Sequence, residues 1–545
     1  MGYTDEGAQL KGFINDSLPL ISDYVKKGAR ERPHHTALIS GDKRISYAEF
    51  ADQTEKLACY LLKTGVAKGD RIAYLSIPRP EFFYLYMAAA RIGAIIVGIG
   101  TRQADKEIEY VLNNSGASYV FTLHSMYEFD YQERFSVILP DCPSVKGLVI
   151  LGGAARLENA LSFDEIMKGD YSEYQEALLE REAQINTHDG LIIVYTSGST
   201  GVPKGALMSH QNIIHMSLVE IGMCGAVPED IWLNHLPVNH VSGATEVGAT
   251  SIIGNCTQIL EPFNPQKALE LIQHHQVTIL GQVPTMFAME FALPDYDKYD
   301  LSSLRIVVIS GAPAPMETLI KMRETMCDNC YNCLGLTEVS GLITYTDHGA
   351  SLEELNLTVG KVAPDFELKL VDELRRELPA GEIGEIAYRG TSVIKEYFKL
   401  PEATAAAFDD EGWFYSGDLA MFDEDGNLRM VGRSKEMYIT NAENVYPAEV
   451  EDAIMRFPGV MLCACVAVPD KKAGEIGRAY IVPLPGHQID VDELKEFLKG
   501  YLSHFKIPRE YVFRDILPMT MLGKIEKKLL RQEVEAEIAA RQEAE

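Results

Sequence analysis

Basic residues are scarce in this sequence: 50 lysines and arginines stand against 79 acids, a formal charge of −29 over 545 residues. That balance excludes a broad electrostatic grip on nucleic acid or on an anionic membrane. A local anion site stays open, because a few backbone N–H groups and one cation can hold a phosphate on an acidic protein. The N-terminus, "MGYTDEGAQLKG", lacks the basic-then-apolar order of a secretory signal, and Glu6 stands where a myristoylation motif needs Ser or Thr. A cytoplasmic protein is expected. Uninterrupted apolar runs of spanning length are also missing: in "FFYLYMAAARIGAIIVGIG", Phe82 to Gly100, Arg91 sits near the middle and Gly93 and Gly98 divide the rest. We read no membrane span there, but a buried helix followed by a strand.

Nine cysteines, odd in number and scattered, do not make a disulfide framework. The one cluster, "CDNCYNC", spaces Cys327, Cys330 and Cys333 as an iron–sulfur run opens, yet the fourth position is Thr337 and no Cys-Pro follows. A helix end running into a buried strand is the expected structure, with a three-thiolate metal site as its alternative.

With 46% hydrophobic and 9% aromatic residues, what remains is a chain able to bury several large cores. Apolar, β-rich runs ("RIAYLSI", "SYVFT", "GLVIL", "GLIIVYTS") alternate with amphipathic stretches, and the rhythm returns in "VTILGQVPTMF" and "LRIVVISGAP". This predicts an α/β fold with mostly parallel sheets flanked by helices. From about residue 345 the pattern changes to short strands and turns, including Asp425-Gly426, which predicts a small antiparallel, barrel-like subdomain. From about Tyr446 it becomes helix, strand, strand, helix, a small α+β unit, with a charged helical tail. No internal repeat or long low-complexity linker separates these parts.

"YTSGSTGVPKGALMSH", Tyr195 to His210, packs three glycines, five hydroxyl or phenol groups and Lys204 into its first eleven positions. It follows an apolar strand and precedes a helical pattern starting near Ser209, which predicts a loop between two regular elements. Glycines let the backbone approach a polyanion, hydroxyls and amides donate to its oxygens, and the lysine adds charge. It is a phosphate cradle but not a Walker loop, since Pro203 precedes Lys204 and Gly205 follows it.

This stretch resembles the signature of the adenylate-forming (AMP-binding) superfamily, which includes acyl-CoA synthetases, luciferases and the adenylation domains of peptide synthetases. "SGAP" (310–313), "LGLTE" (334–338), "YSGDLAMFDEDGNLRMVGRSKEM" (415–437), "ENVYPAEVE" (443–451) and "LPMTMLGKIEKKLL" (517–530) match in the same order. The resemblance implies an N-terminal AMP-binding domain, 1–434, containing a barrel-like subdomain at about 345–434. A mobile C-terminal domain, 435–545, follows, with its hinge near Lys435. It implies that ATP, Mg²⁺, CoA and a small-molecule carboxylate meet there, with formation of an acyl-adenylate and then a thioester. Homo-oligomerisation is left open.

By the same resemblance Thr196, Ser197, Gly198, Ser199, Thr200 and Lys204 surround the ATP phosphates, and Glu338 is the protein carboxylate on Mg²⁺. Asp418 holds the ribose hydroxyls with Arg433 nearby, and Gly311, Ala312 and Pro313 line the adenine beside Leu334, Gly335 and Thr337. Leu334 replaces the usual stacking aromatic, and Ala442 stands where many relatives have glycine on the thiol path. Lys524 is expected to cross from the small domain to the reacting phosphate and carboxylate. Lys527 and Lys528 read as ordinary lysines of a basic helix. The carboxylate pocket is expected around "PVNHVSGATEVG", with His240 beside the acid or gating the thiol, and its small residues leave room for a medium-chain, alicyclic or aromatic acid. Two further readings are an adenylation enzyme that loads a carrier protein or drives an oxidation, and a noncatalytic nucleotide- or metal-binding protein. The chain's end, 21 residues after Lys524, argues against an attached carrier domain.

Overall fold

The computed structural model describes residues 17–196, 203–441, 443–470, 472–484, 486–520 and 524–544. Among them the strands form a nine-stranded and a seven-stranded sheet, both mostly parallel, a four-stranded antiparallel sheet, a five-stranded sheet near the C-terminus and a two-stranded ribbon. In the seven-stranded sheet Arg71–Leu75, Ile95–Ile99, Tyr119–Leu123 and Gly147–Leu151 are parallel neighbours of one another, and Gly190–Thr196 joins beside Ile95–Ile99. Their apolar continuity is that of strands covered on both faces.

The Phe82–Gly100 stretch divides as expected into a helix, Pro80–Ile92, and the strand Ile95–Ile99. Pro80 opens the helix at a position where its missing N–H costs nothing, and Gly93 closes it at φ 68°. Arg91 is only 5% exposed; its guanidinium pairs with Glu182 and Glu55, so the helix carries its charge inside the protein. Among the described residues no helix is long and apolar enough to cross a membrane.

The nine-stranded sheet places Ile231–Asn234, Ile279–Gln282, Ile306–Ser310 and Cys330–Leu336 side by side and parallel. One face packs on the helices His210–Cys224 and Val241–Ile253 through Met216, Val219, Trp232, Ala249 and Ile279. The other packs on Pro265–His275, Pro284–Phe291 and Met316–Thr325 through Leu269, Phe287, Leu280 and Leu319. Cys330 and Cys333 lie three apart on one strand, so they face opposite sides: Cys330 belongs to the second layer and Cys333 to the first. They cannot share an ion, and the expected helix end leading into a buried strand is what the segment forms.

The antiparallel subdomain is a meander of Phe366–Val371, Gly384–Gly390, Phe414–Phe422 and Leu428–Arg433. In the last unit the two long strands, Val460–Asp470 and Gly474–Pro483, were legible. Short strands at Tyr438–Thr440, Glu443–Val445 and Glu510–Phe513 complete the sheet around them.

Gly98 joins the first sheet to the loop before the Val241–Ile253 helix. A Cβ there would fall 2.5 Å from the Asn239 Cα, so only a hydrogen fits. Gly98→Ala should lower stability by about 1–3 kcal/mol, as overpacking of a rigid interior does. Denaturant unfolding measures this, and an unchanged midpoint would contradict the close approach.

Candidate active site

The signature stretch is a β-hairpin in this fold. Lys204–Ser209 runs antiparallel to Gly190–Thr196, with Thr196 opposite Lys204, and Ser209 then caps the helix His210–Cys224 through a reciprocal bond with Asn212. This corrects the expectation of a loop leading straight into a helix: Ala206 and Met208 alternate inward with period two before the helical period begins. Ser197, Gly198, Ser199 and Thr200 lie outside the described residues. At the hairpin base the Thr196 hydroxyl donates to the Lys204 carbonyl at 3.4 Å, and the Lys204 ammonium stands 4.9 Å over the Tyr397 ring.

Tyr397 was not foreseen. The segment around it is bound to the hairpin by Phe398 N–H donating to the Gly205 carbonyl at 2.7 Å, and its hydroxyl donates to Glu338 Oε1 at 2.8 Å. Glu338 occupies the short 3₁₀ turn Thr337–Val339 at the end of the Cys330–Leu336 strand. Burial raises its pKa, while the Tyr397 hydrogen bond and the Arg433 charge hold it back. Among the described residues no group of three or more His, Cys, Asp or Glu could cage a metal. One carboxylate beside a phosphate site suits Mg²⁺, which keeps most of its ligands as phosphate and water oxygens.

Asp418 and Arg433 are cross-strand partners, and Arg433 Nε donates to Asp418 Oδ1 at 2.9 Å. Burial raises the Asp418 pKa, and Arg433 and then Lys524 pull it down. Gly311, Ala312 and Pro313 form an exposed segment after the Ile306–Ser310 strand, with Gly311 at φ 86°. Leu334 and Gly335 are half-buried on the neighbouring strand. Gly335 admits no side chain, since a Cβ would meet the Gly341 carbonyl oxygen at 2.2 Å.

Lys524 reaches this place from the far end of the chain. A Cβ on Gly311 would lie 2.9 Å from Lys524 Cε and 3.4 Å from its Nζ, so the lysine lies across the glycine. Its backbone is fixed by a turn in which Thr520 N–H donates to the Lys524 carbonyl at 2.7 Å and Lys524 N–H to the Thr520 hydroxyl at 3.2 Å. Burial and the Arg433 charge lower its pKa, against the pull of Asp418.

His240 caps the Val241–Ile253 helix: its Nδ1 accepts from Ser242 N–H at 3.3 Å, which puts the imidazole proton on Nε2. Burial and the nearby Lys524 charge push its pKa down to about 3, so it is a neutral hydrogen-bond donor at ordinary pH. Lys435 sits in the exposed turn after Arg433, outside this cluster. Ala442 lies outside the described residues, and its neighbours Asn441 and Glu443 are exposed.

Lys527 departs from the expectation of a solvated helix lysine. It is 17% exposed and bridges Glu436 at 3.0 Å and Glu451 at 2.8 Å. Its neighbour Lys528 is exposed. A further buried charge site was invisible in the sequence: Glu220 and Glu246, on the two helices that cover the nine-stranded sheet, are 9% and 4% exposed. Burial pushes Glu220 up to about 7. A carboxyl raised in the fold is fully compatible with it below the unfolded value near 4.5 and loses that compatibility as pH rises through about 7. Relative to Glu220→Gln, the wild type should therefore lose about 3 kcal/mol of stability between pH ~4 and pH ~8. Urea midpoints across that range measure it, and parallel profiles would refute the shift.

The description "AMP-binding enzyme" fits residues 25–398, and "AMP-binding enzyme C-terminal domain" fits 449–524. The chain belongs to the AMP-binding enzyme family. It is 33% identical to a putative acyl-CoA synthetase, YngI, of Bacillus subtilis, over 94% of this chain and 96% of that one. It is 32% identical to a feruloyl-CoA synthase of Amycolatopsis sp, over 94% and 98%. Among solved structures, o-succinylbenzoate coenzyme A synthetase (MenE) of Bacillus subtilis, in complex with ATP and magnesium ion, superposes with a TM-score of 0.80 at 27% identity, over 94% and 99%. This AMP-binding enzyme is an adenylate-forming, ATP-dependent carboxylate–CoA ligase that uses ATP, CoA and typically Mg²⁺.

Proposed function

We propose that the cluster of Lys524, Gly311, His240, Asp418 and Arg433 is where a medium-chain, alicyclic or aromatic acid is adenylated and then passed to CoA. The position of Lys524 over Gly311 carries this reading, because it sets a half-buried cation beside the Asp418–Arg433 pair, where it can offset charge on reacting anions. A carboxylate is already ionised at neutral pH, so its oxygen attacks the α-phosphorus without a general base. The α–β bridge breaks and pyrophosphate leaves. Lys524 offsets charge on the reacting oxygens, and the Nε2–H of neutral His240 donates to the acid. Thr196, Ser197, Gly198, Ser199, Thr200 and Lys204 hold the phosphates, Lys204 being steadied over Tyr397. Glu338 is the Mg²⁺ carboxylate, Asp418 takes the ribose hydroxyls, and Gly311–Pro313 with Leu334 cover the adenine. In the second step the thiol sulfur forms the thioester bond and AMP departs.

We also propose two bodies, 1–434 and 435–545, hinged at Lys435, with about 345–434 as a subdomain of the first, and a cytoplasmic location. The feruloyl relative supports an acid with a bulky apolar body over acetate. Carboxylate-dependent pyrophosphate–ATP exchange tests the first step, and AMP release that consumes free CoA separates a CoA ligase from a carrier-loading enzyme. Exchange that needs no acid, or release of orthophosphate, would overturn the reading.

A further inference from the structure

A polar patch lies inside the apolar layer that the carboxylate pocket enters. On the nine-stranded sheet Trp232 pairs with Ile279, so two residues further on Asn234 and Gly281 stand side by side on the same face. That face meets the His210–Cys224 and Val241–Ile253 helices. Here the Asn234 amide donates to Glu246 Oε2 at 2.6 Å, while its own oxygen, in a residue 1% exposed, has no partner among the described residues. Glu220 adjoins Glu246 closely enough to raise its pKa.

Beside this patch the layer is open. Gly281 belongs to an interior strand, between Ile231–Asn234 and Ile306–Ser310, yet it is half-exposed. A Cβ built on it would have one heavy atom within 4 Å among the described residues, Glu246 Oε1 at 3.7 Å. The space in front of Gly281 is therefore a slot with a carboxyl at its wall. His240 caps the same helix, and Glu246 lies six residues further along it, roughly 9 Å at the helical rise.

The bond from Asn234 fixes Glu246 Oε2, which leaves Glu246 Oε1 as the carboxyl oxygen beside the slot. Burial, and then the Glu220 charge, push the Glu246 pKa up, toward the form that offers a proton as well as an acceptor oxygen, and an uncharged partner suits that form. We propose that Glu246, positioned by Asn234, reads a hydroxyl or carbonyl oxygen at the far end of the acid, so that the preferred substrate has an apolar body and an uncharged polar end. The inference rests on the ligase reading above and adds a specificity-determining residue to it.

The test compares kcat/KM for CoA-dependent AMP release by the full chain on matched acids: ω-hydroxyoctanoate against octanoate, and para-hydroxyphenylpropanoate against phenylpropanoate. The polar-ended acid should be favoured by at least about tenfold in one pair, the scale of one buried polar group left unmatched. Glu246→Leu should bring that ratio to within about twofold, and Glu246→Gln, which keeps a donor and an acceptor, should retain most of it. Preference for the acid without the hydroxyl in both pairs, or an unchanged ratio in Glu246→Leu, would overturn the inference. Should Glu246→Leu fail to fold, the wild-type ratios and Glu246→Gln decide. Acids activated with no preference would sink this inference alone, whereas a panel in which no acid is activated would sink the ligase reading and this inference with it.

Discussion

Lys524→Ala should slow carboxylate-dependent pyrophosphate–ATP exchange by about a hundredfold to a thousandfold, the ~3–4 kcal/mol typical of removing one preorganised charge-stabilising contact. The loss should fall on kcat, with KM for ATP little changed, because the proposed nucleotide contacts come from other elements. Conversion of supplied acyl-adenylate to the thioester should persist. The geometry supports this split: Lys524 hangs on a turn held by Thr520, near the end of the chain, and touches the site by crossing Gly311. If the small domain turns about Lys435 after adenylation, the amine leaves with it and the second step no longer needs it. Lys524→Arg should restore little, since the Cε already lies 2.9 Å from where a Cβ on Gly311 would be and a planar guanidinium has no space to turn there. Equal loss of both half-reactions in Lys524→Ala would contradict a lysine used in one orientation only.

The parts of this fold that were legible in the sequence are those governed by local period and by turn chemistry. Apolar runs such as Arg71–Leu75 and Ile95–Ile99 are strands because both sheet faces are covered, and Pro80 and Gly93 punctuate the helix between them. Asp418 and Arg433 were read from a motif and prove to be paired across one hairpin. Long-range placement was not legible. "KGALMS" is a strand only because Gly190–Thr196 lies beside it, and six residues before a helical pattern carry too little period to say so. Tyr397 belongs to no motif; it matters because Phe398 and Gly205, far apart in sequence, share a backbone hydrogen bond. Glu246 reads as one acid in a helix until the sheet sets Asn234 and an open glycine in front of it.

The same limitation hid Lys527, whose replacement by alanine should destabilise the small C-terminal unit by about 3–5 kcal/mol, the cost of leaving buried carboxylates without their cation. Three separate segments converge on this ammonium: the turn after Arg433 through Glu436, the helix Pro447–Met455 through Glu451, and the helix Lys527–Ala544 itself. Glu451 also accepts from the Cys465 backbone N–H at 2.6 Å, so it cannot move to water without breaking the sheet edge. Burial raises the Glu451 pKa, whereas the Lys527 charge holds Glu436 low against the same penalty. Loss of the lysine leaves one acid to protonate and the other to be expelled. Because Lys524 lies three residues before Lys527, pyrophosphate exchange should fall with stability, and lower temperature, which refolds the unit, should recover part of it. A double variant, Lys527→Ala with Glu436→Gln, should cost less than the sum of the two singles, as coupled neighbours do. Strict additivity, or a Lys527→Ala protein within about 1 kcal/mol of wild type, would mean that the three segments are held by apolar packing alone.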